Sequence, residues 1–198
     1  MTPFKFQKSV QLLNFFAIKE GGSLNKLKAL KLMWAAERLS LRTSGLTIVG
    51  DDFFAMKLGP VPSFTKDIAE GREMMSDEEQ EFRSLYLKTT SKHNFKSLKS
   101  FEDSYFSISA INAMEASYKE FGKYDGFQMA DITHLYPEWT KFSHLFPRFS
   151  RFEMDYLDFF KDPTEQPFSI FNQDKEQLEF MKDHFIEESN FNNIMFSI

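Results

Sequence analysis

Residues 23–45 read SLNKLKALKLMWAAERLSLRTSG, and the folding of this stretch decides the rest of the molecule. At about 100° per residue, Leu27, Leu30, Met33, Trp34 and Leu41 fall on one broad arc. Ala29, Leu32, Ala36 and Leu39 carry that arc further round. A helix that is apolar over most of its circumference belongs in the middle of a core, so residues 24–44 are expected to form a central buried helix. The polar remainder includes a narrow stripe of Lys28, Lys31, Arg38 and Arg42. Such a stripe reads first as a solvated face, and second as a docking surface for an acidic partner.

On the N-terminal side, Thr2-Pro3 is a good helix start, and Phe6, Val10, Leu13 and Ala17 recur at helical spacing. Gly21-Gly22 ends that helix, and Ser23 can cap the central one. On the C-terminal side, Gly45 closes the central helix. The pattern then switches to period two in LTIVGDDFFAMKLG (46–59), which reads as a hairpin turning at Gly50-Asp51. Pro60 and Pro62 would hold an extended connection, with Ser63 capping a short helix that stops at Gly71.

Further out, Ser76 and Glu79 form a capping box, and residues 84–106 alternate around the turn Ser91–Asn94 as a second hairpin. Ser107 caps a helix that stops at Gly122, and Asp125 with Gln128 boxes another that must end before Pro137. Ser150 with Glu153 predicts a further helix, ending at Asp162-Pro163. Asp174 with Gln177 predicts the last, bearing Leu178, Met181 and Phe185 on one face. The fold class expected is mainly α with two small β-hairpins (α+β). Residues 1–149 would form the core, and 150–198 a helical, Phe-rich C-terminal extension packed on it.

The chain has 198 residues, 42% of them hydrophobic, which is enough to fold around a real core. Net charge is −5, so a whole-surface footprint for nucleic acid is missing. There is no cysteine, hence no disulfide, thiol nucleophile or cysteine metal site. The N-terminus lacks the features of a signal peptide, and no apolar run approaches the roughly 18 residues of a membrane span. A soluble, cytoplasmic protein is expected. The 25 phenylalanines read as compositional bias, or as additional surface for a partner.

Catalytic patterns are sparse. The four histidines, His93, His134, His144 and His184, show no metal-ligand spacing. Asp131 and His134 could share a helix face as a dyad, but no serine or threonine nucleophile accompanies them. Trp139, just after Pro137, reads as a residue that closes the core. No phosphate loop is present. The expectation is no catalytic residue, no metal and no cofactor, with binding as the job.

Three segments then stand together: KLKALKLMWAAERLSLRTSG (26–45), GDDFFAMKLGPVPS (50–63) and ADITHLYPEW (130–139). In this order they resemble the Panacea, or SocA-like, antitoxin domain family, over roughly residues 8–142. Met33-Trp34 and Ile132 depart from the usual residues, with conservative volumes. The resemblance implies a non-enzymatic antitoxin that neutralises a protein toxin encoded nearby by direct protein–protein binding. It leaves two alternatives: an adaptor that delivers the toxin to a protease, for which the tail NNIMFSI (192–198) is a candidate feature, and a DNA-binding autoregulator of the operon, for which the Lys28, Lys31, Arg38 and Arg42 stripe is the only support. Nucleic acid is the less favoured partner, given the net charge. Self-association into a homo-oligomer stays open. The residues offered as the partner surface are Lys28, Lys31, Arg38 and Arg42 on the helix, with Lys57, Gly59, Pro60 and Pro62 on the loop.

Overall fold

The computed structural model describes residues 2–72 and 75–195, with side chains to residue 191. Thr2 accepts a hydrogen bond from the Lys5 amide and Pro3 occupies the first turn, so α1 (Pro3–Lys19) starts where its local chemistry directs. A short strand, β1 (Ser23–Asn25), follows, and Asn25 rather than Ser23 caps α2 (Lys26–Ser44), accepting from the Lys28 amide at 3.2 Å. Gly45 ends α2 in the left-handed region at φ 68°. The central helix is buried as expected: Leu32, Met33, Trp34, Ala35, Ala36 and Leu41 are inaccessible to solvent.

The first hairpin forms, with a different turn. β2 (Phe53–Met56) pairs antiparallel with β3 (Gly59–Pro62), matching Phe53 to Pro62 and Met56 to Gly59. The turn is therefore Lys57-Leu58, not Gly50-Asp51, and GPVP is itself a strand rather than a connection. β3 sits at the edge of its sheet, where a proline's missing N–H removes no ladder bond. Residues 46–52 instead wrap over a buried carboxylate: Glu37 accepts from the amides of Ile48, Val49 and Gly50 at 2.7, 2.8 and 3.1 Å. Burial raises the Glu37 pKa, and these three amides oppose the rise.

Helix α3 (Ser63–Glu70) ends at Gly71, but Ser63 does not cap it. The Asp51 carboxylate does so from a distance in sequence, accepting from the Phe64 and Thr65 amides at 3.0 and 2.7 Å. Next come α4 (Asp77–Tyr86) with its Ser76/Glu79 capping box, then β4 (Leu87–Thr89) and β5 (Asn94–Ser97). α5 (Ile108–Phe121), α6 (Gly126–Thr133) with its Asp125/Gln128 box, and the single turn α7 (Pro137–Thr140) complete the middle of the chain.

The helix expected after Ser150 is absent. Residues 151–153 form β6 (Arg151–Glu153), which pairs with β2. A local capping signature lost there to an open strand edge, because tertiary pairing outweighs intrinsic propensity. Two 3₁₀ turns, Tyr156–Phe160 and Ser169–Phe171, follow, and α8 (Lys175–Met195) closes the chain. Each hairpin thus gains a third strand, giving two antiparallel sheets of order β1-β5-β4 and β3-β2-β6. α2 runs through the centre, against α1, α3, α5, α6, α8 and β3.

Candidate functional site

The basic stripe of α2 is not a solvated face. Lys31, Arg38 and Arg42 are completely buried, and Lys28 is 6% exposed. Burying a charge without partners costs several kcal/mol, so each cation must find acceptors inside, and each finds them on a different part of the chain. Lys28 binds Glu20 Oε1 at 2.5 Å and the Gly122 carbonyl at 2.7 Å. Lys31 donates to the Pro60 carbonyl at 2.5 Å. Arg38 meets Glu138 Oε2 at 2.7 Å and the Lys161 carbonyl at 2.6 Å, and its guanidinium lies over the Tyr136 ring. Arg42 reaches Gln173, Asp162 and the carbonyls of Phe160 and Phe171.

Around Arg38 the pairing is dense. Glu138 is fully buried, its second oxygen accepts from the Trp34 indole at 3.0 Å, and Trp34 packs on Tyr136 and Phe171. Burial pushes the Glu138 carboxyl up and Arg38 pulls it back down. Arg42 is lowered to about 10, chiefly by burial and then by the neighbouring Arg38 charge, with Asp162 opposing.

Gly59, Pro60 and Pro62 are buried too. Gly59 holds φ at 91°, and a Cβ there would stand 2.2 Å from Thr133 Oγ1 and 2.9 Å from Lys31 Nζ. Only glycine lets the hairpin lie this close to α2 and α6. Of the eight residues offered as a partner surface, Lys57 alone is exposed.

Lys57 opens onto a groove of about 1,100 Å³. One wall is the first turns of α2, with Lys26, Leu27 and Leu30. Met56, Leu58 and Val61 of the hairpin form the floor, and Leu58 is 45% exposed. The far wall carries Lys66, Glu70 and Arg72 from the end of α3, and the rim is completed by Lys92 and His93 from the β4–β5 turn. The Lys26 amide donates to the His93 carbonyl at 2.8 Å, which ties that turn to the start of α2. Lys66 and Arg72 both bind Glu70 and Asp67, whereas Lys26, Lys57 and Lys92 make no ion pair among the described residues. Burial lowers the Lys26 ammonium, with Glu70 opposing.

The groove brings together residues far apart in sequence, so periodicity could not assemble it. Two partial signals existed: Leu27 and Leu30 lay on the apolar arc, and Lys57 stood beside GPVP. The misplaced turn hid Leu58. The Asp131/His134 pair does not form a dyad: Asp131 is exposed, and His134 stacks on Trp139 at 3.7 Å between ring centroids. Trp139 donates to the Met56 carbonyl at 2.8 Å, which braces the hairpin from behind.

Residues 30–140, more than half of the chain, match the family described as Antitoxin SocA-like, Panacea domain. No curated protein and no solved structure matches the chain. No helix among the described residues is long and apolar enough to cross a membrane.

Proposed function

The chain belongs to the SocA-like antitoxin, Panacea domain family, and from that premise we propose that it is a non-enzymatic antitoxin which neutralises a protein toxin encoded beside it by direct binding. The observation that carries this reading is the family match over 30–140, the span that holds most of α2, the GPVP hairpin and α6–α7. Neutralisation by binding calls for an interface of roughly 1,600 Å² in total, with a few desolvated anchors supplying most of its affinity. The exposed hairpin tip and the groove behind it supply a concave, pre-formed surface on rigid elements, which limits the entropy lost on docking.

Two alternatives stand differently. DNA binding by an operon autoregulator rested on the α2 stripe, and that stripe is spent on internal contacts. Delivery to a protease rested on the tail from residue 192, of which 196–198 and the side chains of 192–195 lie outside the described residues. The test is co-expression with the adjacent open reading frame. Cells carrying that frame alone should stop growing, and this chain should restore growth. A harmless neighbour, or an arrest that this chain leaves in place, rules the antitoxin reading out.

A further inference from the structure

We infer that the groove between the start of α2, the Lys57-Leu58 hairpin tip and the β4–β5 turn receives an acidic segment of the toxin whose apolar side chains rest on Leu27, Leu30, Met56, Leu58 and Val61. The inference rests on the antitoxin reading and adds to it the place and the chemistry of the contact.

Charge complementarity selects the occupant. The whole chain carries 24 Lys and Arg against 29 Asp and Glu, yet the groove gathers Lys26, Lys57, Lys66, Arg72 and Lys92; Glu70 and Asp67 pair with Lys66 and Arg72, while Lys26, Lys57 and Lys92 make no ion pair among the described residues. A cationic groove attracts a locally acidic partner, while the net charge of −5 on each copy makes two whole chains repel one another. The ammonium of Lys26 is already partly desolvated, so a carboxylate arriving beside it restores interactions that burial removed.

The floor selects a polypeptide over a nucleic acid. Bases bind single-strand grooves by stacking on aromatic rings, and among the described residues the groove's only ring is the His93 imidazole, at its rim. Leu, Met and Val side chains instead accept aliphatic or aromatic residues projecting from a helix or strand. A volume of about 1,100 Å³ takes several such side chains at once.

The experiment is calorimetric titration of the purified full chain with the purified product of the adjacent open reading frame. Four proteins are compared: the unaltered chain, Leu58→Asp, the pair Lys57→Glu with Lys92→Glu, and a charge-matched control, Lys119→Glu with Lys123→Glu, on exposed residues outside the groove. Leu58, Lys57 and Lys92 are exposed, so melting curves should match the unaltered chain. Should Leu58→Asp melt early, the rim pair carries the test, because it leaves the hairpin's apolar contacts intact.

Both groove variants should bind about 10- to 100-fold more weakly, with the control within about threefold of the unaltered chain. Groove variants that bind as tightly as the unaltered chain overturn the inference while leaving the antitoxin reading in place. So does a control weakened as much as the rim pair, since net charge would then be the cause. A rim pair that keeps toxin binding but loses binding to operator DNA assigns the groove to nucleic acid and also overturns it. If the unaltered chain fails to bind the toxin, the antitoxin reading falls and takes the groove assignment with it.

Discussion

Lys31 has no exposed atom, and its ammonium donates to one carbonyl, that of Pro60. Burial alone drives its pKa well below the usual 10.5. A base with a depressed pKa in the fold contributes stability that is complete above about pH 10.5 and declines as the pH falls toward the depressed value, because the unfolded chain binds the proton more readily. Lys31→Met keeps most of the volume and removes the titration. Relative to the unaltered chain, Lys31→Met should gain stability steadily as the pH is lowered from about 10.5 toward 7, measured by urea denaturation at each pH. Parallel curves for the two proteins would show that Lys31 is held without cost.

At the scale of elements, α2 is a helix whose polar residues fasten it to the rest of the chain. Arg38 and Glu138 join α2 to α7, with Trp34 completing the set. Removing one member of a buried pair strands the other, at about 3–5 kcal/mol. Glu138→Ala should therefore cost about that much in chemical denaturation, while Arg38→Met combined with Glu138→Leu should recover most of the loss. A double variant as unstable as Glu138→Ala alone would place the cost in packing instead.

The same helix marks how much of the structure was legible in the sequence. Its burial was readable because apolar residues cover most of its circumference, and the capping residues Thr2, Ser76, Ser107 and Asp125 were readable because a cap is a contact within three residues. The fate of Lys31, Arg38 and Arg42 was not. A cation on a helix surface looks alike whether it faces water or a carboxylate 100 residues away, as Glu138 is from Arg38. The same limit hid Asp51 as the cap of α3 and turned the expected helix at 151–153 into a strand. Long-range partners decided each case. The groove is the extreme example, since its walls come from four separate stretches of chain.

At the scale of the whole molecule, a chain of net charge −5 concentrates cations at one concave place. Behind that place stand the internal ties: Lys31 on β3, Trp139 on the Met56 carbonyl, and Gly59 allowing close approach to Thr133. These ties lie within the matched span 30–140, as do the hairpin tip and the neighbouring turn that line the groove. The most direct measurement is hydrogen exchange of the chain alone and in complex with its toxin. The account predicts slowed exchange at the Lys57-Leu58 tip and at Ser91–His93, with α8 unchanged. Exchange at both sites that is identical with and without the toxin would contradict it.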